Sequence, residues 1–298
     1  MLDAILSNYV QNIIIVICIN MIVVIGLSVL TGFTQLFSFG QAGFMSIGAY
    51  VSAILTTKLH LPFIAAIVAG AVAAGIIAYL IGSLTLRLKG DYFLIATLGF
   101  GICVKVLFEY IGITGGAKGY AGIPQYTTLP IALGSVIVAF ILAWNLIHSK
   151  YGRNFTAIRE QETAAEAVGI QTMKSKTMSF VFSAILAGWA GALYAHNLMF
   201  LAPSMFDLPK SSELTITVVI GGLGSLTGSV LGSILITLIP EIFRDMSNYR
   251  MLLYGLTVVL VIMLRPTGLM GFKEFSLKRT VLAIKSIPQK IRAKNARN

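Results

Sequence analysis

The sequence predicts an all-α, polytopic membrane helical bundle with Gly-interrupted, broken helices, on three observations. Hydrophobic residues make up 57% of the 298 and charged ones only 11%, with a mean hydropathy of +0.88. An ordinary soluble domain carries about 25% charged residues, so burial in one core cannot absorb this much apolar surface. No charged residue occurs between Asn12 and Thr57, a run able to cross a ~30 Å hydrocarbon core twice at roughly 20 residues per pass. The apolar runs are continuous rather than alternating at period two, which argues against the wall of a membrane β-barrel.

The membrane segments fall, in order, at about 12–31, 36–57, 61–85, 91–111, 128–148 and 177–200, then a Gly-interrupted stretch 213–243, and 249–266. The opening "MLDAILSNYVQN" lacks a basic leader and the apolar run after it is too long for a signal peptide, so no cleaved leader is expected. Cys18 and Cys103 both lie inside apolar segments and read as small buried hydrophobes, with no disulfide framework or metal site implied.

Placement of the cations sets an expected orientation, because cytoplasmic loops are enriched in Lys and Arg. Arg87 and Lys89 sit between the third and fourth segments, and Lys150, Arg153, Arg159, Lys174 and Lys176 cluster in the loop at about 149–176. Eight more cations, from Lys273 to Arg297, fill the tail 272–298. Loop 149–176 and the tail are therefore expected in the cytoplasm, and the N-terminus outside. Both ends agree only if 213–243 makes an even number of passes, as a hairpin broken near "GGLGS" would. Residues 1–271 then form a transmembrane domain. The tail reads either as a segment lying on the anionic inner leaflet or as a solubilising extension; the net charge of +11 needs no nucleic acid.

Glycine clusters interrupt three helices: Gly32, Gly40, Gly43 and Gly48; Gly99 and Gly101; and Gly221, Gly222, Gly224, Gly228 and Gly232. Glycine costs ~1 kcal/mol in a helix interior relative to alanine, so each cluster has a reason. Spacing by four at Gly224, Gly228 and Gly232 suits close helix packing. At Gly40–Gly43 and Gly221–Gly222, with Ser38, Gln41 and Ser225 alongside, a break exposing backbone to a transport pathway is the favoured reading. The candidate pathway residues are thus Ser38, Gly40, Gln41, Gly43, Gly99, Gly101, Gly221, Gly222 and Ser225. Lys105 and Glu109 stand four apart on one helix face and are expected to pair. His60, His148 and His196 are read as interfacial, without metal-ligand spacing.

Nothing catalytic is present: the chain has no H-E-x-x-H, G-x-S-x-G or G-x-x-x-x-G-K-[ST]. Without a phosphate-binding loop, ATP-driven work must come from another chain. The segment "AIREQETAAEAVGI" (157–170) reads as a helix in which Ala157, Ala164, Ala165 and Ala167 lie among Glu160, Glu162 and Glu166 and end at Gly169, a residue suited to a left-handed C-terminus. Small residues permit docking into a groove and flanking charges set register; a solvated helix without a partner is the alternative.

"LTGFTQLFSFGQAGFMSIGAY" (30–50), "RLKGDYFLIATLGFG" (87–101), "TGGAKGYAGIP" (114–124), "GRNFTAIREQETAAEAVGI" (152–170), "FSAILAGWAGALYA" (182–195), "VVIGGLGSLTGSVLG" (218–232) and "RPTGLMG" (265–271) together resemble the LivM-type permease subunits of the branched-chain amino acid ABC transporter family. The resemblance implies an ABC importer permease, not an enzyme, in a bacterial inner membrane. Its implied partners are a LivH-type second permease, two ATP-binding subunits and an extracytoplasmic substrate-binding protein. It implies leucine, isoleucine, valine or related amino acids as substrates, and no cofactor. Segment 149–176 resembles the coupling loop of such importers; Thr163, Ala164, Ala165 and Gly169 fall on the pattern E-A-A-x3-G, Thr163 departing from the Glu. Arg159, Glu160, Glu162, Ala164, Ala165 and Gly169 are thus the candidate contacts to an ATPase. Ile102 is a second departure, standing where the family often carries an acid. The alternative is a stand-alone ion-driven or passive transporter or channel for small polar solutes, and the alternative substrates are urea or short amides.

Overall fold

Helix α1 spans Leu2–Leu27 and runs without interruption into one π turn, Ser28–Gly32. The computed structural model describes residues 2–88, 90–242, 250–264, 268, 269 and 271. Beyond Thr34 the chain is non-helical to Gly40, with Gln35 at φ +54°, and helicity resumes in α2, Gln41–Lys58. Then follow α3 (Phe63–Thr85), α4 (Asp91–Tyr110), α5 (Leu129–His148), α6 (Lys150–Glu160), α7 (Glu162–Ala167) and α8 (Thr172–Leu198). The described chain closes with α9 (Leu208–Gly221), α10 (Leu226–Ile242) and α11 (Arg250–Leu264). Starts are set by local chemistry. The Ser149 hydroxyl accepts from the Tyr151 N–H, the Asp207 carboxylate accepts from the Leu208 N–H, and prolines occupy the first turns of α5 and α9, where a missing N–H costs nothing. The expected tail 272–298, with Lys89 and Arg244, lies outside the described residues.

Among the described residues five helices are long and apolar enough to cross a membrane, and their burial separates them into two groups. In α1 and α8, 83% and 67% of the apolar window is buried, against 33%, 22% and 17% in α3, α5 and α4. The first two therefore form the centre and the other three the wall. Ile64, Val68, Val72, Ile76, Leu80 and Leu84, spaced by four along α3, are all exposed. A continuous apolar stripe of that length belongs against lipid or another membrane chain.

Glycines let the central helices meet backbone to backbone. A Cβ built at Gly48 of α2 would lie 2.1 Å from the Gly188 carbonyl oxygen of α8, and one at Gly70 of α3 would lie 2.7 Å from the Gly48 oxygen. A Cβ at Gly191 would lie 1.9 Å from the Met45 oxygen. Three helices thus cross at a point with no room for any side chain.

Segment 213–243 is a helix, a break and a helix. Gly222 (φ +117°) and Gly224 (φ +85°) turn the chain in the left-handed region. Positions 217 and 221 of α9 meet 232 and 228 of α10, so the two helices run antiparallel. The Ser225 hydroxyl accepts from the Gly228 N–H at 3.1 Å and caps α10.

At the end of the bundle opposite α6 and α7, the loop between α4 and α5 is pinned to the end of α8. A two-residue antiparallel ladder pairs β1 (Tyr120–Ala121) with β2 (Phe200–Leu201). His196 is fully buried there rather than interfacial. Its Nδ1 lies 2.9 Å from the Pro124 carbonyl oxygen, which only accepts, so the proton sits on Nδ1 and Nε2 accepts from the Ser52 hydroxyl at 3.1 Å. Replacing His196 by leucine is expected to lower the thermal midpoint of the detergent-purified protein clearly, because each buried group left unpaired costs about 1–3 kcal/mol.

Candidate functional site

The charged segment forms a shelf across one end of the bundle. Its corner is fixed by Gly152, where a Cβ would lie 1.8 Å from the Ile147 oxygen. From there α6 buries Phe155 and Ile158 against the bundle, and α7 buries Ala165. Residues 157–170 are not one helix. Gln161 is extended (φ −162°, ψ 111°), and its carbonyl accepts from the Ala165 N–H at 3.0 Å, starting α7 anew. The bend turns α7 onto the start of α8: Glu162 pairs with Lys176, and the Thr172 hydroxyl donates to Glu166 at 2.7 Å.

Gly169 ends α7 with φ +86°; its N–H donates to the Glu166 oxygen and that of Ile170 to the Ala165 oxygen, the paired bonds of a Schellman cap. Ala164, Ala167, Val168 and Gly169 are exposed, Val168 by 77%, with Glu160, Glu162, Thr163 and Glu166 around them. Among the coupling candidates, Ala165 is buried and Arg159 is largely covered, while the others are exposed. Arg159 joins Glu160 at 2.8 Å and also donates from Nη1 to the Gly32 carbonyl oxygen at 3.4 Å, in the π turn that leads to the helix break. In the Lys176–Glu162 pair the carboxylate is exposed and the lysine stem is covered, so Lys176→Gln, which keeps most of the stem, is expected to shift thermal stability by no more than ~1 kcal/mol.

The pathway candidates divide into two neighbouring breaks and one outlier. Ser38 is buried and its hydroxyl accepts from the Gly40 N–H. Gly40 and Gly43 seat α2 against Thr97, Phe100 and Gly101 of α4. Gly221 closes the α9–α10 crossing, Gly222 packs against Gly271, and Ser225 caps α10. The breaks lie side by side. The Thr215 hydroxyl donates to the Ser38 oxygen, the Ala42 N–H donates to the Ser211 hydroxyl, and a Cβ at Gly32 would lie 2.6 Å from the Gly224 nitrogen. Thr97 places this irregular backbone about 9 Å along α4 from Asp91, at 1.5 Å per residue. Gly99 joins neither group, with nothing within 4 Å of its Cβ position. Gln41 is fully buried and both of its amide atoms lack a hydrogen-bond partner. Ile102 lies on the exposed face of α4, where an apolar residue suits lipid or a partner chain.

A cavity with charged and amide side chains in an otherwise apolar wall is not among the sequence candidates. It measures about 990 Å³ and lies between α1, the end of α8, α9 and α10. Within it the Asn20 Nδ2 donates to the Thr237 hydroxyl at 3.3 Å, and Lys210 Nζ donates to Asn20 Oδ1 at 3.1 Å and to Glu213 at 3.2 Å. At its margin Asp207 pairs with Lys105 at 2.6 Å, so Lys105 reaches across to the start of α9 instead of pairing with Glu109. Asn12 and Asn20 inside an uncharged run, and Lys210 three residues before Glu213, were the sequence signals for this site. No group of three or more metal-ligating side chains occurs among the described residues.

Residues 9–263 match the family model described as "Branched-chain amino acid transport system / permease component". The chain is 32% identical to the high-affinity branched-chain amino acid transport system permease protein LivM of Escherichia coli K12, over 87% of this chain and 69% of that one. It is 23% identical to LivH of the same organism, over 85% and 91% of the two chains. The autoinducer 2 import system permease protein LsrC of Salmonella paratyphi B is 26% identical over half of this chain and 46% of its own length. No solved structure matches.

Proposed function

The chain belongs to the family of permease components of branched-chain amino acid transport systems, and from that premise we propose that it forms half of the translocation pathway of an ATP-driven importer of leucine, isoleucine and valine. A LivH-type permease supplies the other half, two ATP-binding subunits supply the work, and an extracytoplasmic binding protein delivers the substrate. Segment 149–176 and the tail 272–298 face the cytoplasm, and the N-terminus faces outward. The relatives named above are permease components of transport or import systems, which leaves the ion-driven, passive and urea readings without support.

One observation carries the coupling role: the exposed small-residue face of α7 belongs to a shelf that Arg159 ties to Gly32, next to both helix breaks. An ATPase gripping that face in two nucleotide states with different free energy would bias two arrangements of the breaks; equal grip would transmit nothing. The test is uptake of labelled leucine by vesicles holding this chain, its companion permease and the ATPases, with the binding protein supplied on the extracytoplasmic side. Uptake is expected to require ATP and to ignore an imposed ion gradient. Full-rate uptake without the ATPases would overturn the proposal.

A further inference from the structure

The cavity between α1, α8, α9 and α10 carries a more specific assignment, resting on the reading of this chain as an amino acid importer subunit. We infer that it is a binding site for the zwitterionic head and aliphatic tail of a free amino acid, on the half of the protein away from the coupling shelf.

Position comes first. Leu198, at the opposite end of α8 from Thr172, lines the cavity, as do Asn12 and Asn20 of α1. Those two asparagines are about 12 Å apart along the helix at 1.5 Å per residue. Asn20 stands midway through the Asn8–Gly32 span, and transporter sites gather at such depths beside interrupted helices. The volume of about 990 Å³ is at the upper end of the ~300–1,000 Å³ of small-molecule sites, so an amino acid enters with water to spare.

Chemistry comes second. Both signs of charge line one cavity, Lys210 against the carboxylates of Asp207, Glu213 and Glu241, an arrangement that suits a solute carrying a cationic head as well as a carboxylate better than an uncharged one. Lys210 is the cation, with two of its three N–H groups spent on Asn20 and Glu213. The remaining N–H is the donor for a carboxylate. Asn197 also lines the cavity; it is only 7% exposed, and its Oδ1 has no hydrogen-bond partner. A buried acceptor left empty is unfavourable, and an incoming ammonium group satisfies it, with Glu213 supplying the opposing charge. Ile13, Val16 and Met205 complete the wall with apolar surface for a branched tail.

The deciding experiment uses the purified complex of this chain with its companion permease and ATPases, without a binding protein. Binding is measured by saturation-transfer NMR for leucine, 3-methylbutylamine, which lacks the carboxylate, and 4-methylpentanoate, which lacks the ammonium. Leucine is expected to bind at least about tenfold more tightly than either half-ligand, the loss that removing one charged hydrogen-bond partner brings. Lys210→Gln should bring leucine down to the level of 3-methylbutylamine, and Asn197→Leu should weaken leucine and 3-methylbutylamine together. Lys210→Arg should keep discrimination if Lys210→Gln fails to fold, which basal ATPase activity reports. Half-ligands binding as well as leucine, or leucine binding untouched by either substitution, overturns the site while leucine uptake by the wild-type complex leaves the importer reading standing. A wild-type complex that imports no branched-chain amino acid overturns both.

Discussion

Ala164→Arg is expected to abolish ATP-driven uptake while leaving the chain in the membrane at wild-type level. Ala164 is exposed on a helix whose ends are already fixed, by the Gln161 bend on one side and the Gly169 cap on the other. A long cation there meets nothing in this chain, so folding is undisturbed. In a partner's groove it has no room. Residues at the centre of such an interface contribute ~2 kcal/mol or more, so the loss of uptake should exceed about tenfold. Co-purification of the ATPases should fall in parallel. Ala165 makes the contrast: it is 3% exposed and packs inward, so Ala165→Leu overfills the chain's own packing at about 1–3 kcal/mol. That variant should lose thermal stability before it loses coupling. Uptake by Ala164→Arg at the wild-type rate would remove α7 from the transmission.

Gly48→Leu is expected to prevent accumulation of folded protein altogether. Even its first carbon would sit 2.1 Å from a backbone oxygen of α8, and backbone cannot swing aside as a side chain does. The helices must separate, and Gly70 and Gly188, which share the crossing, must follow. Ordinary overpacking costs about 1–3 kcal/mol; a displaced three-helix junction exceeds that range. Monodisperse yield in detergent is the readout. Gly99→Ala is the control: with open space at its Cβ position, it should gain up to ~1 kcal/mol from helix propensity.

How far such effects could be read in advance depends on distance along the chain. Segment ends were legible because apolar length and local punctuation set them: 61–85, 91–111 and 128–148 became Phe63–Thr85, Asp91–Tyr110 and Leu129–His148. The break at "GGLGS" was legible because Gly222 and Gly224 both need left-handed backbone. The bend at Gln161 was not, since nothing in "IREQETAA" disfavours a continuous helix; the pull comes from Lys176 and Thr172 across a turn. Lys105 was assigned the carboxylate four residues away, but the three-dimensional fold offered Asp207. The cavity escaped for the same reason, since Asn20, Asn197 and Lys210 converge only after the helices assemble. Packing glycines and pathway glycines look alike in sequence; the crowding of Gly43 by Gly101 and Phe100, and the open space at the Cβ position of Gly99, show only after the helices assemble.

Helix α1, the most enclosed of the five long apolar helices among the described residues, is synthesised well before the partners of its amide, and this orders assembly of the chain. Asn20 leaves the ribosome with α1, yet its hydrogen-bond partners Lys210 and Thr237 follow 190 and 217 residues later. At translation speeds of about 5–20 residues per second, the newborn helix waits on the order of ten seconds with an unmatched amide in lipid. During that interval it depends on water, a neighbouring subunit or the insertion machinery for shelter. A nascent chain halted before α9 would lack both partners, Lys210 and Thr237, and keep that dependence.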